Sequence, residues 1–160
     1  MSERLSNLLA SRRLDFHVVP YHDAIDAQHV ASACHVRGRE MAKVLVVRDA
    51  DGQFLMVAIP AGRRLDLAAV QRATGRMGLR LATEQEFGPL FPDCQLGAMP
   101  PFPELYDVPV LVDGCLQDSP EIYFRGGSHH ELVGMRFLDY ANLAHPTVSA
   151  YCYHRTPRSA

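Results

Sequence analysis

Apolar residues switch between two spacings along this chain, and each switch marks an element. Leu5, Leu8 and Leu9 recur at helical spacing behind Ser2, so Ser2 to Arg13 reads as a first helix with Ser2 as its N-cap. Phe16, Val18 and Val19 bring strand character over Asp15 to Tyr21, and Pro20 confines that strand to an edge or an end. Asp26 then stands to cap a short helix, Ala27 to His35, with Val30, Ala31 and Cys34 inward and Gly38 as its stop. The clearest pattern follows. Lys43–Arg48 and Gln53–Ile59 are strand-like runs around Asp49-Ala50-Asp51-Gly52, whose residues tolerate left-handed backbone, and together they read as a hairpin.

Pro60-Ala61-Gly62 breaks the second strand, and Asp66 opens a helix through Ala73 that Gly75 closes. A short strand spans Leu79–Ala82. Thr83-Glu84-Gln85-Glu86 matches a capping box, which predicts a helical turn toward Leu90. Gly97 to Pro103 reads as a stiff loop, because its prolines fix the backbone and Gly97 permits positive φ. Val108–Asp113, Glu121–Phe124 and Leu132–Phe137 are further strands, and Asp139 is placed to cap a last helix to Ala144. Strands and helices are interspersed without regular βα alternation. The fold class is therefore α/β of the mixed, α+β-like kind: one domain over residues 1–150, a curved mixed sheet of about six or seven strands with helices packed outside, and a loose tail over 151–160.

Composition adds bounds. The 160 residues are 48% hydrophobic, enough for a real core. The first residues lack the apolar run of a signal peptide, no stretch is long enough to span a bilayer, and the four cysteines are scattered without CxxC spacing. These features point to reduced thiols and a cytoplasmic location. A formal charge of −2 conceals a division: residues 35–80 carry nine basic and four acidic groups, whereas residues 81–124 carry eight acids and no lysine or arginine. A polyanion would meet the first segment and be repelled by the second, although two solvated faces would give the same pattern.

Lys43 is the sole lysine, at the mouth of an apolar strand. An ammonium there is costly to desolvate unless an anion meets it, and the alternative is a strand-end lysine snorkelling to water. The Gly97 and Gly126–His130 loops could offer backbone N–H groups to an oxyanion or phosphate, and His129 could move a proton. The histidines and cysteines lack metal-ligand spacing, and no Walker, GxSxG or Rossmann signature is present.

Four stretches together carry a resemblance: Phe16-His17 to Tyr21-His22, Ala42-Lys43-Val44-Leu45-Val46, Gly97-Ala98-Met99-Pro100-Pro101-Phe102, and Phe124-Arg125-Gly126-Gly127-Ser128-His129. In this order the chain resembles the YbaK/EbsC family, free-standing relatives of the editing domain inserted in bacterial prolyl-tRNA synthetases. The resemblance covers about residues 5–148 and implies hydrolysis of mischarged aminoacyl-tRNA in trans, without cofactor or metal. It implies Lys43 as the functional lysine, Gly97 as the loop glycine, and a substrate pocket of Tyr21, His22, Ala98, Met99, Pro100, Phe102, Gly127, Ser128 and His129. Aminoacyl-tRNA is the implied partner, with a synthetase as a further candidate and with neither membrane nor DNA. A small amino acid (alanine, serine or cysteine) is the expected ester, held under Met99, Pro100 and Phe102. Arg37, Arg39, Arg63 and Arg64 are the expected tRNA contacts, from the charge division. Pro103 stands where the family motif has its last glycine, which keeps a second reading open: a non-catalytic module that binds tRNA, an aminoacyl group or another protein.

Overall fold

The computed structural model describes residues 1–22 and 26–154. In chain order the first half runs α1 (Glu3–Ser11), β1 (His17–Pro20), α2 (Ala27–Ala33), β2 (Ala42–Arg48), β3 (Phe54–Pro60), β4 (Arg63–Leu65), α3 (Leu67–Thr74) and β5 (Arg80–Leu81). The second half runs α4 (Glu84–Phe87), α5 (Pro103–Tyr106), β6 (Val110–Asp113), β7 (Glu121–Arg125), β8 (Glu131–Arg136), α6 (Phe137–Ala144), β9 (Thr147–Ser149) and β10 (Cys152–His154). The class is mixed α/β in a single domain. Its strands fall into a five-stranded mixed sheet ordered β5-β2-β3-β6-β9, an antiparallel sheet ordered β1-β8-β7, and the pair β10-β4.

Side-chain alternation divides the large sheet into two faces. Ala42 and Val46 of β2, Met56 and Ala58 of β3, and Val110 and Val112 of β6 enter the main core. That core also takes Leu5, Leu8 and Leu9 of α1, Ile122 and Phe124 of β7, Val133 and Met135 of β8, and Tyr140 of α6. The intervening residues Val47, Leu55, Val57, Ile59 and Leu111 face the other way, onto Val70 of α3 and Tyr151. A third cluster gathers Tyr21, α2 (Ala27, Val30, Ala31), Met41, Ala61 and Leu132. At about 1.5–3 kcal/mol for each fully buried aliphatic side chain, the β2–β3 register dominates the sheet's stability. Slipping β2 by one residue would drive Lys43 into the main core and expel Ala42.

Most caps stand as read: Ser2 accepts from Leu5 N–H, Asp26 from His29 N–H and Asp66 from Ala69 N–H, and Thr83 and Glu86 form a reciprocal box. Four features differ from the sequence reading. Helix α2 ends at Ala33 with Cys34 as its C-cap, and His35 rather than Gly38 takes the left-handed turn. Helix α6 starts at Phe137 with Arg136 as its N-cap, so Asp139 sits within the first turn and pairs with Arg136 instead of capping. Pro103 opens α5 at its first helical position, where a proline's missing N–H costs nothing and its fixed φ already suits the helix. The segment from Tyr151, expected loose, is held through His154. Tyr151 is fully buried and β10 pairs with β4, because Tyr151 N–H donates to the buried Asp113 Oδ2 at 2.8 Å. Burial alone would raise the Asp113 carboxyl, but the Tyr151 and Cys115 N–H donors outweigh it and hold the group below its usual range. The rest of the expected tail, 155–160, lies outside the described residues.

Candidate functional site

Lys43 occupies a gap in the apolar pattern of β2. Its neighbours on the same strand face are Met41, in the α2 cluster, and Leu45, packed against the α3 cluster. The side chain is partly buried. Among the described residues it has no hydrogen-bond or ion-pair partner. Burial pushes its ammonium below the usual lysine range; Cys152 and then Asp26 oppose that shift less strongly, and Arg64 adds a smaller push downward. Around it lies a cavity of about 190 Å³ lined by Gln28, Ala61, Gly62, Arg63 and Arg64. That is below the roughly 300–1,000 Å³ of a typical small-molecule pocket, and suits one anionic group better than a nucleoside.

The basic side chains continue outward. A second cavity, about 490 Å³, shares Gln28, Gly62 and Arg63 and adds Arg39; a third, about 400 Å³, joins Arg39 to Arg37. Three other arginines of the 35–80 segment, Arg48, Arg76 and Arg80, are engaged elsewhere. Arg80 and Arg48 both bind Glu86, and the Arg80 pair first, with Thr83 N–H and Arg48, holds that carboxyl far below its usual range. Arg76 binds Asp49. Among the described residues, Arg37, Arg39, Arg63 and Arg64 have no acidic partner. Arg72 of α3 is likewise unpaired among the described residues but lines none of these cavities, and the third cavity also takes in Glu40 and Asp118, so the surplus beside Lys43 is strongest at Arg39, Arg63 and Arg64.

The second group of expected residues is built by two loops tied backbone to backbone. Gly127 N–H donates to Ala98 carbonyl at 2.7 Å, and Gln95 N–H donates to Gly127 carbonyl at 2.9 Å. Ala98 N–H closes a turn on Gln95 carbonyl at 3.0 Å. His129 N–H donates to Gln95 Oε1 at 2.7 Å, and its ring Nε2 lies 2.5 Å from Leu96 carbonyl. Gly97 has φ +84°, and a Cβ added there would touch only the His129 ring, at 3.5 Å. Gly127 has φ +106° and lies against α1, where a Cβ would come within 2.7 Å of Ser2. Among the described residues the N–H groups of Gly97 and Ser128 carry no hydrogen bond, and neither residue is buried, which leaves two donors open to a ligand.

Ala98, Met99, Pro100 and Phe102, expected to line a pocket, turn inward; Met99 is 3% exposed and Phe102 fully buried among Phe124 and Tyr140. This loop can offer a ligand its backbone but not those side chains. Lys43 points from the face of β2 opposite the one that packs with Met99 and Phe102. No described contact joins Lys43 to Gly97. Tyr21 is tied to the loop pair: its N–H donates to His130 carbonyl at 2.9 Å and its hydroxyl accepts from Arg125 Nε at 3.2 Å, while His22 is exposed. Sequence reasoning missed Gln95 and Gln28, single amides whose types carry no chemical signal by themselves.

A family model for the aminoacyl-tRNA editing domain matches residues 22–143. This chain belongs to the aminoacyl-tRNA editing domain family. The matched span takes in every candidate residue named above except Tyr21. Solved structures agree on the fold of this editing domain. A hypothetical protein, APE2540, is 22% identical with a TM-score of 0.83, covering 94% of this chain and 100% of that one. A candidate trans-editing enzyme for prolyl tRNA synthetase is 24% identical with a TM-score of 0.79 over 94% and 95% of the two chains. A scaffold from computational epitope grafting is 21% identical with a TM-score of 0.79 over 95% and 96%. No curated protein matches this sequence. Among the described residues no helix is long and apolar enough to cross a membrane, and no cluster of His, Cys, Asp and Glu could hold a metal ion.

Proposed function

We propose that this editing domain deacylates mischarged aminoacyl-tRNA in trans, acting on a small amino acid such as alanine, serine or cysteine esterified to a non-cognate tRNA in the cytoplasm. Membership of the family supports deacylation in general. The observation that supports the finer reading is the half-buried ammonium of Lys43, unpartnered among the described residues, with Arg63 and Arg64 around it. A site that holds cations at a desolvation cost gains most from a ligand that brings negative charge, and the 3′ end of tRNA brings phosphate.

In this reading Lys43 positions the 3′ end and offsets its charge, with Arg63, Arg64, Arg39 and Arg37 along the track of the preceding phosphates. The ester carbonyl lies at the loop pair, where the Gly97 and Ser128 N–H groups receive the oxyanion as water attacks. The bond between the carbonyl carbon and the ribose oxygen then breaks, releasing amino acid and tRNA. In this reading water attacks, and no side chain among the described residues is assigned as the nucleophile. Cys94 is the thiol nearest the loop in sequence, and burial pushes it up to about 11, well away from a thiolate. The preference for a small side chain rests on a floor that cannot retreat, since Ala98, Met99 and Phe102 are committed to the core. Pro103, placed at the first position of α5, no longer argues for a non-catalytic module.

Incubating the purified protein with a panel of mischarged tRNAs, and scoring ester loss over buffer, tests the proposal. Faster loss of alanyl, seryl or cysteinyl esters is expected. Hydrolysis of phenylalanyl or tyrosyl esters alone would overturn the size argument, and no ester loss from any member would overturn the activity.

A further inference from the structure

Gln95 bonds to both loops. Its backbone N–H holds Gly127, its carbonyl holds Ala98, and its side-chain oxygen holds the N–H of His129. The partner of that side chain is a backbone N–H, so the atom facing it must be the amide oxygen. The next residue finishes the arrangement. The Leu96 carbonyl, 2.5 Å from His129 Nε2, can only accept, so Nε2 carries the hydrogen. In the neutral ring the other nitrogen, Nδ1, is then an acceptor, and no described residue occupies it. The ring lies over Gly97, whose N–H is unengaged among the described residues.

We infer that Gln95 is a positioning residue which, with the Leu96 carbonyl, fixes His129 as its Nε2–H tautomer, so that Nδ1 accepts a hydrogen bond from the free α-ammonium of the aminoacyl ester. The inference rests on the deacylase reading for its substrate, but not for the state of the ring. An aminoacyl ester differs from a peptidyl or N-acylated ester in this one charged donor, so the arrangement makes the site selective for a free amino terminus. The two loop N–H groups receive the carbonyl oxygen, and Nδ1 takes the group one carbon further on.

Two measurements test it. Long-range ¹H–¹⁵N correlation on the neutral imidazole reports the tautomer directly and needs no activity. Protonated Nε2 with bare Nδ1 is expected in the wild type and in Gln95→Glu, which keeps an acceptor for the His129 N–H. Averaging between tautomers is expected in Gln95→Leu, whose fold is checked by melting because Gln95 is exposed. A wild-type ring protonated at Nδ1 would overturn the inference whether or not the protein is a deacylase. The second measurement compares an aminoacyl-tRNA with its N-acetylated form. The wild type should favour the free amine by about tenfold in kcat/KM, the lower end for a hydrogen bond to a charged group. That preference should shrink toward unity in Gln95→Leu and survive in Gln95→Glu. Equal losses on both substrates in Gln95→Leu would mean the side chain only braces the loop, and would overturn the assignment to the α-ammonium.

Discussion

The Lys43 cleft and the Gly97–His129 loop pair are held in opposite ways. Lys43 is placed by strand register alone: it lies opposite Ile59, between two apolar clusters, and no described group answers its charge. The loop pair is a network in which Gln95, Ala98, Gly127 and His129 bond to one another, and among the described residues the N–H groups of Gly97 and Ser128 are left without a partner on its surface. The cleft thus stores an unmet charge, whereas the loops store geometry. A charge can be deleted without disturbing the fold, and a network cannot. That difference separates the effects of substitutions in the two regions.

The largest contrast should come from Lys43→Ala, which is expected to lower deacylation by at least about 10²-fold, the scale for removing one preorganised electrostatic group. Lys43→Arg should also fail substantially, because a planar fork does not fit a cavity of about 190 Å³ already walled by Arg63 and Arg64. Stability should move the other way. The folded state holds the Lys43 ammonium below its usual range, so above that lowered value the unfolded chain binds the extra proton, up to the ordinary value of 10.5. Wild-type stability from this group should therefore rise with pH through that window. Lys43→Met should lack the rise and, at neutral pH, melt at or above the wild type. Melting curves across pH check both.

In the loop pair, activity and stability should fall together. Gly127→Ala meets positive φ and a 2.7 Å clash with Ser2, and should cost about 3 kcal/mol as strain and overpacking add. Gly97→Ala has room for the methyl group and meets only the φ penalty, so about 1 kcal/mol is expected. It should nonetheless slow deacylation about tenfold or more, since a small shift of the loop misplaces its N–H. Denaturant melts and single-turnover rates would separate the pair.

A smaller effect belongs to the outer cleft. Neutralising Arg63 and Arg64 should lower the salt slope of tRNA binding by roughly 0.7 for each phosphate that is no longer neutralised, without changing amino-acid preference. Parallel slopes would mean that these arginines are a solvated face. The smallest effect is expected from Pro103→Gly. Restoring the motif's glycine should cost about 0.5–1 kcal/mol through the unfolded state and bring no gain in rate, because Pro103 already suits the start of α5.

The hairpin, the caps of α1 to α4 and the class of fold were legible because they are local: the spacing of apolar residues and one capping side chain decide each. Strands β4 and β10 were not legible. Their pairing depends on the Asp113–Tyr151 bond, made across 38 positions of sequence. The candidate residues were legible as motifs, but their grouping was not. Met99 and Phe102 are apolar in any reading, and only the packing shows them committed to the core rather than to a pocket. Gln95 was invisible for the opposite reason, since its importance lies in three bonds made at once and not in its residue type.

Lys43 offers an unusually clean probe, because it is the sole lysine of the chain. In protein labelled with ¹³C and ¹⁵N lysine, one side-chain resonance reports the charge at the centre of the cleft. Titrated alone, it should change protonation below the ordinary lysine value of 10.5, since burial disfavours the ammonium. Saturated with a short single-stranded RNA, it should titrate at higher pH, as phosphate replaces the missing partner. A resonance that titrates at the same pH with and without RNA would contradict the account: Lys43 would then be a lysine snorkelling to water, and the anion would bind elsewhere.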